Sequence, residues 1–201
     1  MSTTLKPFGL KPAFHPSGLD RATPFAGTNS YVTGTGDYSA PYLLSSGEAF
    51  YQYQPVAVVA ASGALTYASS TSDRLIGSFD GVEFTDSQGR RSVAKWISKA
   101  ALDASTQIVF WIFQDPALVY EIQAEGSVGT DAIGSQYNFS STAGYTPADG
   151  STIGVGGAGF STTALADANT DGAQGQVRVV GLGREVAFPT GELNAWGDDF
   201  T

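Results

Sequence analysis

Apolar residues in this chain fall in short runs, broken by glycine, proline and Asx-rich turns. Residues 49–53 form a short aromatic run. Residues 55–61 follow, Ser62 and Gly63 supply a turn, and residues 64–67 return. Runs of this length bounded by turn residues predict hairpins. Residues 74–79 lead toward residues 81–85, a tight turn is expected over 86–89, and residues 92–97 pair back. Residues 107–113 are an unbroken β-branched and aromatic run, the pattern of a strand buried on both faces. Asp115 and Pro116 end that run. Residues 118–123 alternate apolar and polar as a half-buried strand does, and residues 176–182 predict another strand. Short helix is expected only over 97–103 and around 164–166. The fold class is therefore all-β, a β-sandwich or small β-barrel with long loops.

Residues 1–48 break this pattern. They hold Pro7, Pro12, Pro16, Pro24 and Pro41, five of the nine prolines, interspersed with Phe8, Phe14, Phe25, Tyr31, Tyr38 and Tyr42. Proline fixes φ and removes an amide donor, which disfavours helix interior and central strand. The aromatic rings still favour burial, by about 25 cal/mol per Å². The resolution is an extended N-terminal arm laid on a surface. That surface is the chain's own core, a sister subunit or another protein. The expected organisation is an arm over 1–48 and a β-rich core domain over 49–201.

Composition narrows the chemistry. Charged residues are 14% of the chain and glycines number 25, a balance nearer to all-β surface modules than to helical enzymes. There is no cysteine, which excludes disulfide scaffolds, zinc ribbons, iron–sulfur sites and thiol nucleophiles. A single histidine, His15, excludes mechanisms that need two imidazoles. No apolar run approaches the roughly 20 residues of a membrane span, and no apolar stretch follows the N-terminus as in a secretory signal. No membrane partner is therefore expected. The net charge of −9 is uneven: residues 101–201 hold twelve acidic groups against Arg178 and Arg184. An acidic half repels phosphate backbones, so nucleic acid is not an expected partner.

Four candidate constellations are weak. Asp167, Asn169, Asp171 and Gly172 match the first half of a calcium loop, but its twelfth position is Arg178, so an Asx-rich turn is expected. The glycine-rich run over 154–160 is followed by no lysine, so it is not a phosphate loop. His15, Ser17 and Asp20 are close in sequence, but a triad is defined by geometry, and no G-x-S-x-G elbow is present. Arg90, Arg91, Lys95 and Lys99 form a basic cluster that fits either an acidic partner or an ordinary strand edge. The expectation is a protein without enzymatic activity, cofactor or metal.

Residues 9–18, with the pattern G-L-x-P-x-x-H-x-S-G, resemble the opening of a group of tailed-phage capsid cement (head decoration) proteins. The resemblance continues through residues 54–56, 76–90 and 115–123, then Ile133 and Gly134. It implies a structural virion protein on the outer surface of the phage capsid. Its partners would be the major capsid protein and itself, as a homotrimer at three-fold and quasi-three-fold positions, stabilising the DNA-filled head. Within that reading, residues 1–48 supply the main contacts to the shell. The candidates are Phe8, Leu10, Pro12, Phe14 and His15, with Phe25 behind them, and Arg90 and Arg91 from the basic cluster. Proteins of that group tend to run past an N-x-W-G-D segment into a last strand, whereas residues 194–201 end this sequence. The resemblance therefore implies a shorter relative or a cut sequence, with an open sheet edge for a neighbour to cover.

The alternative from another class is a carbohydrate-binding or adhesin-type β module, since Trp and Tyr rings on an acidic β scaffold suit sugar stacking. A glycoside hydrolase needs two carboxyl groups flanking a cleft, and no sequence feature places such a pair.

Overall fold

The computed structural model describes residues 9–18, 21–25, 41–68, 75–122, 124, 129–139, 165–168 and 175–183. Strands dominate. In chain order they are β1 (Lys11–Phe14), β2 (Thr23–Pro24), β3 (Ala49–Tyr51), β4 (Pro55–Val58), β5 (Leu65–Tyr67), β6 (Leu75–Thr85), β7 (Arg91–Ala94), β8 (Trp96–Ser98), β9 (Thr106–Phe113), β10 (Val119–Glu121), β11 (Gln136–Phe139), β12 (Leu165–Ala168) and β13 (Val177–Arg178). One short helix, α1 (Lys99–Asp103), lies inside the segment where helix was expected. The fold is all-β, as the pattern predicts.

A six-stranded antiparallel sheet is the frame, in the order β2-β9-β6-β4-β5, with β7 beside β6. β6 is its spine. One side of it pairs with β9; the other takes β4 along its first part and β7 along its second. The sequence separates residues 74–79 from 81–85, yet they form one strand of 11 residues. The register shifts between Phe79 and Gly81, so Asp80 is absorbed as a bulge rather than ending the strand. Gly81 helps, because a Cβ there would lie 2.9 Å from the Ala94 carbonyl.

Each face of this sheet has an apolar cluster. Val56, Leu65, Phe79, Val82, Phe110 and Ile112 join Phe50, Ile97 and Leu102 on one side. Ala57 joins Leu10, Ala68, Ala124, Ala132 and Tyr137 on the other. Adjacent residues of β4, Val56 and Ala57, go to different clusters because side chains alternate across a strand. β9 corrects an expectation in the same way. Ile108, Phe110 and Ile112 are buried, while Val109, Trp111 and Phe113 are only half-buried. The apolar run is thus a one-sided core strand with an apolar second face.

Two further expectations change. Residues 92–97 do not pair back as one strand. The chain breaks at Lys95, and β8 leaves β7 to pair with β3, setting Ile97 opposite Phe50. Burial of Ile97 in the main cluster drives that crossing. The expected helix around 164–166 is instead strand β12, paired with β11. An isolated helical turn is marginal by itself, so a ladder of strand hydrogen bonds outcompetes it. In α1 the Ser98 side chain caps the first turn by accepting from the Ala101 amide, and Leu102 is buried.

The described parts of residues 1–48 lie on the chain's own core. Thr23 and Pro24 pair with Ile112 and Trp111 on the outer edge of β9, and the Phe25 amide donates to the Phe110 carbonyl. At the opposite edge the Leu43 amide donates to the Leu65 carbonyl, and the Leu65 amide donates to the Pro41 carbonyl. One stretch of chain thus meets the outer edges of β9 and β5, which would otherwise expose unpaired donors and acceptors, while β7 pairs on one side only among the described residues. Pro24 costs nothing there, because an edge strand tolerates a missing amide proton.

Candidate functional site

The arm begins at a fixed point. The Leu10 amide donates to the Tyr53 carbonyl at 2.7 Å, and the Leu10 carbonyl accepts from the Ser78 hydroxyl at 2.6 Å. Its side chain, 1% exposed, fills the second cluster. Tyr53 adopts φ of 63° to present that carbonyl, a conformation uncommon for a bulky residue. From Leu10 the chain runs as β1 against β10. Lys11 stands opposite Glu121, Pro12 opposite Tyr120 and Phe14 opposite Val119. Lys11 Nζ lies 3.6 Å from Glu121 Oε2.

A register shift between Pro12 and Phe14 turns Phe14 outward, where it is 60% exposed. His15, next along, is buried, and its neighbourhood is a pair of facing turns. The first closes when the Gly18 amide donates to the His15 carbonyl, with Gly18 at φ of 67°. Within it the Ser17 amide donates to His15 Nδ1 at 3.0 Å. The second turn follows β9, where Asp115 Oδ1 accepts from the Ala117 amide at 2.8 Å. His15 Nε2 and Asp115 Oδ2 join the two turns at 3.2 Å. The Ala117 amide, and secondarily His15, hold the Asp115 carboxyl below the usual carboxylate range. Tyr120 donates its hydroxyl to the Phe113 carbonyl, and burial, aided by the Asp115 charge, pushes its ionisation up.

This geometry gives His15 a structural part. Nδ1 is occupied by an amide proton and Nε2 faces a carboxylate, so neither nitrogen is presented to a hydroxyl nucleophile. Asp20 lies outside the described residues.

Of the residues expected to touch a partner, Leu10 and Phe25 are buried in the chain's own clusters. His15 is buried between the two turns, Pro12 is half-buried, and Phe14 faces solvent. Phe8 lies outside the described residues. Nothing in a proline-rich segment without periodicity distinguishes Leu10 from Phe14; the register shift does.

The basic cluster is neutralised locally. Arg90 pairs with Asp86 at 3.0 Å, Arg91 with Glu83 at 2.6 Å, Lys95 with Asp80 at 2.7 Å and Lys99 with Asp103 at 2.6 Å. The Arg91 hydrogen bond holds Glu83 below the usual carboxylate range. The Arg90 amide does the same for Asp86, and Lys99 followed by Tyr42 does so for Asp103. Arg90 and Arg91 stay exposed, but their charges are already answered. What protrudes beside them is apolar: Val93 is 72% exposed and Trp96 is 40% exposed. Sequence reading attended to the cations and passed over these two. The signal was available, since Arg91 and Val93 share a face of a strand that pairs on one side only among the described residues.

A groove of about 1540 Å³ runs beside the arm, with Ala13, Phe14, Asp115, Tyr120, Val179 and Val180 among its lining residues. Phe14 and Val180 are strongly exposed. Among the described residues no group of three acidic or histidine side chains is gathered to hold a metal ion, and no helix is long and apolar enough to cross a membrane. Asp167 lies in β12, while residues 169–172 of the calcium-like motif and the glycine-rich run over 154–160 lie outside the described residues.

Comparison of the chain with protein-family models, with curated proteins and with solved structures finds no match.

Proposed function

We propose that this chain is a capsid cement protein of a tailed phage. It would bind the outer surface of the major capsid protein shell as a trimer at three-fold and quasi-three-fold positions, without catalysis. One observation supports this most. Four of the segments that carry the resemblance, 9–18, 54–56, 76–90 and 115–123, are scattered in sequence yet contribute residues that meet at the seat of the arm. Ser78 holds Leu10, the Phe79 amide donates to the Gln54 carbonyl, β1 pairs with β10, and His15 meets Asp115. Motif residues that lock one small unit together have a structural purpose, as a cement protein requires.

Phe14 is the contact residue this reading favours. Its ring is exposed on a strand already fixed by pairing, so little further ordering is needed when it is buried. Binding to the assembled shell and not to its free subunits shifts assembly by mass action. Three copies joined in a trimer multiply weak contacts through effective concentration.

The test is to mix the protein with expanded, undecorated capsids of the phage that encodes it and image them by cryo-microscopy. The expected result is ordered density at the three-fold positions with Phe14 at the contact. Bare capsids overturn the proposal. The exposed Trp96 then gives a glycan-binding module its strongest support, and a glycan array with and without calcium is the experiment for it.

A further inference from the structure

We propose that the Ser17–His15 hydrogen bond inside the turn from His15 to Gly18 is a proton-operated latch, made by neutral His15 through Nδ1 and broken when the ring becomes an imidazolium, while the backbone bond from Gly18 to the His15 carbonyl stays in place. The inference rests on the geometry of the turn and not on the capsid reading.

A neutral imidazole has one accepting and one donating nitrogen. The Ser17 amide, 3.0 Å from Nδ1, can only donate, so Nδ1 is the acceptor. The ring proton is therefore on Nε2, the nitrogen that lies 3.2 Å from Asp115 Oδ2. Protonation places a second proton on Nδ1. Two donors then face each other across the former hydrogen bond, and the Ser17 amide loses its acceptor. On the other side of the ring the added charge turns the Asp115 contact into an ion pair.

The two contacts have different reach. The Ser17 bond is internal to the turn, whereas the Asp115 contact joins the arm to the loop between β9 and β10. Protonation thus loosens the turn while tightening its tether. Asp115 remains ionised through the histidine range, because the Ala117 amide favours its charged form. Among the described residues, a further titratable group of this neighbourhood is Tyr120 on β10, which is engaged with the Phe113 carbonyl and interacts with Asp115. Further along the ribbon the charges of Lys11 and Glu121 answer each other. The turn directly follows Phe14, so the latch lies next to the exposed ring.

His15 is the one histidine in the chain, so its signals are unambiguous. The experiment follows the His15 side-chain nitrogens and the Ser17 backbone amide by NMR in the full chain, from about pH 8 to about pH 5. At the alkaline end the nitrogen shifts should report the tautomer protonated on Nε2. As His15 titrates, the Ser17 amide should move in step and lose its protection from hydrogen exchange. A His15→Asn variant offers a side-chain oxygen that accepts the same amide without titrating, so its Ser17 amide should be indifferent to pH. A Ser17 amide that stays fixed while His15 titrates overturns the proposal. So does a ring protonated on Nδ1 at the alkaline end. If the variant does not fold, the titration of the unmodified chain decides alone.

Discussion

Leu10 and Phe14 sit four residues apart on the arm and do opposite things. Leu10 is fixed by both backbone groups and by its buried side chain. Truncating it leaves a cavity in the second cluster, so Leu10→Ala should cost about 2–5 kcal/mol in urea denaturation. An unchanged midpoint would show that the arm is not part of the folded core. Phe14→Ala removes a ring that already meets solvent, so stability should stay within about 0.5 kcal/mol while occupancy of capsids falls. Full occupancy would remove Phe14 from the proposed contact. Among the described glycines Gly77 is the most constrained. Its φ is +151°, and a Cβ there would collide with the Phe113 carbonyl across the β6–β9 pairing. Gly77→Ala should therefore yield insoluble or largely unfolded protein, read by circular dichroism of the soluble fraction. The sequence marked Leu10, Phe14 and His15 as a group worth noting. It did not separate them, because the sorting comes from a one-residue register shift that no local pattern encodes.

At the scale of elements, the β6–β7 hairpin joins legible and illegible features. Its turn was legible from Asp86 and Gly89: the Asp86 carboxylate accepts from the Gln88 and Arg90 amides, and Gly89 takes φ of 78°. The continuity of β6 was not, because Asp80 and Gly81 look like strand breakers until the bulge is seen. The break at Lys95 was equally hidden, since it answers the distant Phe50 on β3. The strand β12 was missed because Ala and Leu favour helix, a preference too weak over so few residues to outweigh pairing with β11. Acid should act at this scale. Glu83, Asp86, Asp103 and Asp115 have carboxyls held below the usual range in the fold. The unfolded chain thus binds protons more readily, and these groups stabilise fully above about pH 4, the unfolded carboxylate range. That stability is lost as pH falls through the lowered native values. The ion pairs are exposed, so added salt should weaken the effect. Tm measured down an acid series at low and high salt should fall below about pH 4, and more steeply at low salt. A flat profile would mean that these pairs contribute nothing.

At the scale of the molecule, the β9 and β5 edges of the sheet are both met by the same N-terminal stretch. Thr23 on one side reaches Gln114, 91 residues further along the chain, with its hydroxyl accepting from the Gln114 side-chain Nε2 at 2.6 Å. Such separations raise contact order and slow the search for the native arrangement. They also impose a schedule during synthesis. At about 5–20 residues per second, the ribosome takes roughly 5–18 s to supply the partner after Thr23 is made. In that interval a proline- and aromatic-rich segment has no edge to pair with, and β6 has no β9. The earlier segment waits for a partner made later, and until then its rings are available to whatever surface is nearby.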